Sequence, residues 1–385
     1  MSSDRIHLGV EEARALGERA LRGIGYDAEE AQIIADHVID AALGGYEYSG
    51  LAKILNIPEH PRFAQPRRPM AILHETEVSA LYDGGNNNGM VAMYHAARAA
   101  IAKAAAHGVA IIGVTDSWMS GRSAYFVEMI ARAGLVAIHT ASSGAAVAPH
   151  GGSRAVLGTN PIAFALPGDD GPLVLDMGTS AFMGTDLALR VRLGAPLPEG
   201  VAIDRDGKPT RDAKEARDGA LLPFGGHKGF GLGLIVQAFG LLAGSALGAG
   251  NDGYVFIAFR PDLLVPLADL KRELAALIAK VKAVPPCPAS ARSAFRASNR
   301  RGTASASRVR ASRSTAWFTT GSLCSPGSTN QPEADDPDDD KIDRDDVVQD
   351  PRHQQDQHTR NQGDQRLQMR NAQGHGLPPI NCSMG

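Results

Sequence analysis

The residues of this chain best suited to chemistry fall in three short clusters between hydrophobic runs: Gly158-Thr159-Asn160-Pro161, Asp176-Met177-Gly178-Thr179-Ser180 and Gly225-Gly226-His227-Lys228-Gly229. Each reads as a turn presenting backbone N–H groups beside short hydroxyl, amide or basic side chains, which is what a phosphate-bearing group needs at close range. His227 and Lys228 stand just before an expected helix, where free N–H groups and partial positive charge favour an anion. Asp176 with Thr179 and Ser180 has the chemistry to hold a ribose or an amide, and Asn160 the chemistry to set an amide in a pocket. Each cluster also has a plainer reading as a solvated basic turn, an N-cap or a simple turn. Together they point to a nucleotide-dependent enzyme.

The elements that must position these clusters alternate between helix and strand. Asp27 is placed to cap a helix whose apolar positions Ala31, Ile34, Ala35, Val38 and Ala42 recur at helical spacing up to Leu43. An Ala-rich helix is expected from about Met90 to His107, stopped by Gly108, and another from Ser123 to Ala133. The runs from Val109 to Val114, Leu135 to Thr140, Ile162 to Leu166, Leu173 to Leu175 and Tyr254 to Phe259 read as strands, with helices from about Phe230 to Ala243 and Leu267 to Ala283. The fold class is α/β. Connections such as Leu166 to Leu173 are too short for helical crossovers, so the sheet cannot be all parallel.

Composition narrows the function. With 39 Lys and Arg against 42 Asp and Glu, the formal net charge of -3 gives no electrostatic reason to expect nucleic acid or an anionic membrane as partner. Cys287, Cys324 and Cys382 all lie late in the chain, so the first 286 residues use neither a disulfide nor a cysteine metal site, and no metal is expected. The N-terminus has no apolar signal region and no stretch is long and apolar enough to span a bilayer, which makes the cytoplasm the expected compartment. From residue 284 the chain becomes Arg/Ser/Ala-rich, then acidic, then Gln-rich, and reads as a disordered or non-native tail. The literal Gly-x-Gly-x-x-Gly at Gly248, Gly250 and Gly253 follows a helix and precedes a strand, the reverse of the dinucleotide fingerprint, and reads as a flexible loop.

Taken in order, the clusters resemble the malate/L-lactate dehydrogenase family of NAD(P)-dependent oxidoreductases, the type unrelated to the classical lactate and malate dehydrogenases. The resemblance rests on Asp83-Gly84 with Asn88-Gly89, the strand after Gly108, Ala148-Pro149-His150-Gly151-Gly152, Leu157 to Pro161, Asp176 to Ser180, Leu197-Pro198-Glu199-Gly200, Asp206 to Thr210, and Leu222 to Gly229, and covers roughly Leu8 to Lys282. It implies a homodimer with a non-Rossmann cofactor domain, built on a largely antiparallel or mixed sheet flanked by helices, and a separate helical substrate region. On that basis residues 1–75 form the substrate region, 76–260 the cofactor domain, 261–283 a helix returning to the N-terminal region and 284–385 the tail. NAD or NADP is the implied cofactor, and the substrate a small anionic 2-oxo, 2-hydroxy or cyclic 2-imino carboxylate. Ser117, Gly121, Arg122, Thr159, Asn160, Asp176, Thr179, Ser180, His227, Lys228 and Gly229 are the implied cofactor residues, with Arg122 suited to a 2′-phosphate or a substrate carboxylate.

Two positions depart from the family pattern. Where the family has Arg-Gly-x-x-Ser-His-Gly-x-x-Arg, this chain has Gly44 to Lys53, with Ser49 in place of the proton-handling histidine. A second histidine position is occupied by Met119. An imidazole titrates at about pH 6.5 and serine does not replace it. The adjacent Tyr48 is therefore the expected proton donor, its phenol eased toward ionisation by a nearby Lys53, with Lys53 also the carboxylate anchor and Asp186 an orienting group. In the plainer reading Tyr48 packs in an interface and Ser49 fills space, with His139 and His150 as spare imidazoles. The alternative function is a protein that binds the cofactor without turnover.

Overall fold

A computed structural model describes residues 5–245, 252–285, 308–312 and 318–319. The chain opens with β1 (Arg5–Gly9) and α1 (Val10–Gly23), followed by α2 (Ala28–Leu43). The expected cap forms in full: the Glu30 N–H donates to Asp27 Oδ1 at 2.8 Å while the Asp27 N–H donates to Glu30 Oε2 at 3.1 Å. Two 3-10 turns, Glu47–Ser49 and Leu51–Asn56, then lead to β2 (Ala71–Glu75) and β3 (Ser79–Asn88). Leu51, Ile54 and Trp118 share one buried cluster with Ile34, Val38 and Leu21, so the N-terminal helices rest on the far end of a central strand.

That strand belongs to a seven-stranded sheet. After α3 (Gly89–His107) come β4 (Val109–Trp118), α4 (Ser123–Arg132), β5 (Val136–Ala141), β6 (Ile162–Leu166), β7 (Leu173–Met177), α5 (Gly184–Leu193), β8 (Ala202–Ile203), α6 (Ala213–Asp218), β9 (Ala220–Leu221), α7 (His227–Leu242), β10 (Asp252–Phe259) and α8 (Leu267–Lys282). The sheet order is β2-β3-β4-β10-β5-β6-β7. Only β3 and β4 run parallel, joined by the long α3 crossover; every other pairing in this sheet is antiparallel, as the short connections require. The main core lies on one face, where Ala110, Ile112, Val114, Tyr254 and Phe256 meet Phe126 and Ile130 of α4 and the alanine stripe of α3. Alternate residues point to the other face.

The pairings gather the loops at one end. Asp252 is opposite Ser117, Tyr254 opposite Ala141, Thr140 opposite Ile162, and Ile162 opposite Met177. The segments after β4, β5 and β7, and the segment before β6, therefore emerge side by side. β10 leaves the sheet at the other end, where Phe259 is opposite Val109 and Val136.

That geometry corrects one expectation. The helix over Leu267–Lys282 does not return to the N-terminal helices: Leu267 packs at Gly134, Leu274 at Gly168, and Lys271 pairs with Asp169 at 3.1 Å. Its start is tied to the Phe259 end of β10, a strand's length away from Trp118. Strand ends also shift. β7 extends to Met177 and β4 to Trp118, which puts Asp176, Asp116 and Ser117 inside strands, and α7 begins at His227, so His227 and Lys228 form its first turn. Of the glycine loop, Gly248 and Gly250 lie outside the described residues, while Gly253 is part of β10. The tail also lies outside them, apart from β11 (Arg308–Ser312), antiparallel to β1, and β12 (Phe318–Thr319), antiparallel to β11.

Phe256 is fully buried, stacked on His139 at 4.0 Å and edge-on to Phe126. Phe256→Ala should lower unfolding free energy by about 3–5 kcal/mol in urea titration, the range for removing a buried aromatic ring.

Candidate active site

The loops at the gathered end divide into two linked clusters. In the first, Thr159 accepts two hydrogen bonds at its carbonyl from Thr179, one from the backbone N–H at 2.9 Å and one from the hydroxyl at 3.2 Å. The Thr179 carbonyl in turn accepts from the Phe224 N–H at 3.0 Å. A Cβ at Gly229 would overlap the Phe224 carbonyl and crowd that of Thr179, so only glycine lets α7 start this close to the β7 loop. Gly225 and Gly226 precede it with φ of 57° and 64°, a turn geometry that glycine adopts without strain. His227 and Lys228 are exposed beside them, and the His227 ring lies 6.2 Å from that of His150. Thr159, Thr179, His227, Lys228 and Gly229 are thus brought together, and the turn fits a phosphate-bearing group.

Asn160 plays a different part from the one expected. Its side chain is fully buried, donating from Nδ2 to the Gly233 carbonyl and to Gln237 Oε1, both at 2.9 Å, and accepting from the Ser143 N–H at 3.2 Å. Every amide atom is engaged in tying the β5 and β6 loops to α7, so the residue supports the pocket from behind. Ser180 donates to the Phe182 carbonyl at 2.7 Å. Ser117 is also turned inward: buried in β4, it donates to the Asn87 carbonyl at 2.7 Å and joins neighbouring strands.

The second cluster surrounds Arg122. Its backbone N–H donates to His37 Nε2 at 2.7 Å, with Gly121 packed directly on the same ring. Its guanidinium pairs with Asp40 and, at 3.1 Å, with Glu128, and lies 5.4 Å over the Tyr46 ring. The fork serves two carboxylates that lock α2 to α4, which is a different task from the expected hold on a 2′-phosphate or carboxylate. Asp176 faces the same group but uses Oδ2 to accept from the Ala124 N–H at 2.8 Å, capping α4 from inside β7; burial raises its carboxyl above the usual range.

Tyr48 sits on the first 3-10 turn. Burial holds its phenol well above the ordinary value, and Tyr46, Asp186 and Asp176 push the same way, with Arg122 opposing. The net shift is upward, opposite to the expected easing of ionisation, so Tyr48 remains a neutral donor. Asp186, in the first turn of α5, is raised by burial and paired with Arg190 at 3.6 Å. Ser49 is buried, its N–H donating to the Tyr46 carbonyl at 3.1 Å.

Lys53 is the outlier. The residue is 5% exposed, and among the described residues its ammonium makes no hydrogen bond or ion pair, although the nitrogen itself is not sealed from solvent. Burial alone lowers it to about 8. Its charge bears on the imidazole of His37, which burial, Lys53 and Arg122 together push well down. His37 was missed from sequence, although a polar residue three positions after Ile34 and four before Ala41 on a buried helix face was a usable signal. His139 is structural: fully buried, Nδ1 on the Val255 carbonyl at 3.1 Å, its pKa lowered to about 4 by burial. Among the described residues no group of three or more His, Cys, Asp or Glu side chains could hold a metal, and no helix is long and apolar enough to cross a membrane.

Known proteins resemble this chain in sequence and fold. The chain is 32% identical over 289 residues to a malate/(S)-sulfolactate dehydrogenase of Methanothermus fervidus, covering 71% of this chain and 85% of that protein. It is 42% identical over 158 residues to a Delta(1)-pyrroline-2-carboxylate/Delta(1)-piperideine-2-carboxylate reductase of Pseudomonas putida, covering 40% and 45%. The solved sulfolactate dehydrogenase of Methanocaldococcus jannaschii superposes with a TM-score of 0.65 at 29% identity, covering 74% of this chain and 87% of that one. The family model described as malate/L-lactate dehydrogenase matches residues 8–310, and with the mixed sheet and gathered loops this shows that the chain belongs to the malate/L-lactate dehydrogenase family.

Proposed function

We propose that this protein is an NAD(P)-linked oxidoreductase of small 2-oxo, 2-hydroxy or cyclic 2-imino carboxylates, and that Lys53 receives the substrate carboxylate. The observation that carries this reading is a largely buried lysine whose ammonium meets no hydrogen bond or counter-charge among the described residues. Such a group costs folding energy and is tolerated where an anion completes it. The relatives named for malate, sulfolactate and cyclic imino carboxylates all act on carboxylates.

When bound, the nicotinamide supplies or accepts the hydride. The chain does the rest. The Gly225-Gly226 turn with His227 and Lys228 binds the phosphates, Thr179 and Ser180 line the approach, and Asn160 holds these loops in register. Tyr48, kept protonated by burial and the facing carboxylates, donates a hydrogen bond to the substrate oxygen or nitrogen, and Asp186 orients it. Residues 1–75 carry the substrate side and 76–260 the cofactor side. The cytoplasm is the compartment of this reading, in keeping with a chain free of cysteine over its first 286 residues.

A homodimer completes the reading. α7 is apolar all round, yet Leu234, Ile235, Leu241 and Leu242 are 49%, 56%, 46% and 72% exposed. A helix of that kind is buried in its working state, and a second copy supplies the cover.

The primary test is oxidation of NADH and of NADPH, followed in the near ultraviolet against 2-oxo acids and cyclic 2-imino acids. Cofactor binding with no turnover on any substrate would overturn the reading. Lys53→Met should raise KM at least about tenfold, the loss of one charge-assisted contact. It should also stabilise the protein by up to about 3 kcal/mol at pH 7, because the lowered pKa is a cost fully present below about 8 and relieved as pH rises toward the ordinary lysine value. Tyr48→Phe should lower kcat by about 10²-fold with little change in KM, as for removal of a donor to developing charge. Leu234→Glu with Ile235→Glu should convert a dimer to a monomer in light scattering.

A further inference from the structure

One imidazole beside the cofactor turn has no task in the proposed reaction. His150 stands on a tight turn from Pro149 to Gly152, which the Gly152 N–H closes on the Pro149 carbonyl at 2.9 Å with Gly151 at φ 78°. We infer that His150 is a phosphate-binding residue of the cofactor site: it faces His227 across Gly226, and the two imidazoles with Lys228 close on one phosphate group of the nicotinamide dinucleotide. This inference rests on the proposed oxidoreductase reading.

Backbone pairing sets the placement. The Ala148 N–H donates to the Leu221 carbonyl at 3.0 Å, the Leu221 N–H donates to the Ala146 carbonyl at 2.9 Å, and Val147 bridges Leu221 in parallel. Val147, Ala148 and Leu221 are all buried, so the two segments share a packed base. From that base one segment runs on to His150 and the other, in the same direction, to Gly225 and Gly226. The two turns therefore meet. A Cβ at Gly226 would lie 3.3 Å from His150 Cε1 and 3.5 Å from its Nδ1, so the imidazole rests on the turn that begins α7. Its ring centroid is 6.2 Å from that of His227, with the planes at 64°.

The fold makes no use of this ring. Val147 and Ala148 do the packing, whereas His150, His227 and Lys228 are exposed. Among the described residues, none of these three side chains has a hydrogen bond or an ion pair. Three basic groups from two separate segments thus converge on one glycine turn with no carboxylate to balance them. That is the complement of an anion. An imidazole donates an N–H whether neutral or charged, and an adjacent anion favours its charged form. A phosphate offers oxygens to donors on several sides, so one group can be held from the His150 side and from the α7 side together. The positive end of the helix macrodipole acts in the same direction.

The pyrophosphate, and the 2′-phosphate that NADP adds, offer the same chemistry to this cluster. Binding of the two dinucleotides separates them.

The test measures binding, by calorimetric titration of the full chain with NADH and with NADPH. His150→Phe keeps a ring against Gly226 but removes the N–H donors, and His150→Gln keeps a donor; both should melt with wild type, because the side chain is exposed. His150→Phe should raise Kd at least about tenfold, the loss of one charge-assisted hydrogen bond, and His150→Gln should recover part of that loss. A loss confined to NADPH would place the contact on the 2′-phosphate, and an equal loss for both dinucleotides would place it on the pyrophosphate. If His150→Phe binds both dinucleotides as tightly as wild type, the assignment fails while the oxidoreductase reading stands. A wild-type chain that binds neither NADH nor NADPH would sink both.

Discussion

The structure depends on the insertion of β10 between β4 and β5. It is the last strand of the main sheet in sequence and the central one in space, and its backbone groups are paired on both sides. Without it the sheet separates into β2-β3-β4 and β5-β6-β7, each with an unpaired edge. The same strand sets the register that brings the Ser117–Arg122 turn, the Ser143 loop, the Thr159–Asn160 entry and the Thr179–Ser180 turn to one end. A shift of one residue would exchange Tyr254, Phe256 and Ala258 for Val255 and Ile257 in the core and carry Asp252 away from the Met119 turn.

At that end the protein handles two buried cations in opposite ways. Arg122 is surrounded by Asp40, Glu128 and the facing Asp176, so its charge is compensated and its planar fork fixes α2 against α4. Lys53 has no such partners, and its lowered pKa records the cost. A compensated cation serves the fold, whereas an uncompensated one is available to a ligand. The carboxylates divide similarly: Asp176 spends its oxygens on the start of α4, while Asp186 is only loosely balanced by Arg190 at 3.6 Å.

Much of the scaffold was legible in the sequence because its signals are local. The Asp27 cap, the alanine stripe ending at Gly108, and the apolar runs of β4, β5, β6 and β10 follow from side-chain period and capping chemistry. The short β6–β7 connection excluded an all-parallel sheet, as observed. The ordered short motifs also carried the family, since turn residues such as Gly225-Gly226 and Gly229 are demanded by backbone geometry. Strand ends were less legible: Asp176 and Ser117 read as turn residues because polar side chains interrupt the apolar pattern there.

By itself, then, the sequence determined the elements, the mixed sheet, the family and the substitution of both usual histidines, all of which are written in residue type and spacing. Only the tertiary structure decided which polar residues remain available. Asn160, Ser117 and Arg122 look like ligands in sequence but their side chains bond to partners 30 to 82 positions away, at Gln237, Asn87 and Asp40. Lys53 was marked in sequence as a carboxylate anchor, but only the fold shows that burial lowers it, and burial raises the Asp252 carboxyl, which nothing in the sequence singles out. The physical reason is that hydrogen-bond saturation and desolvation are properties of the whole neighbourhood, assembled from distant segments, and no local pattern encodes them.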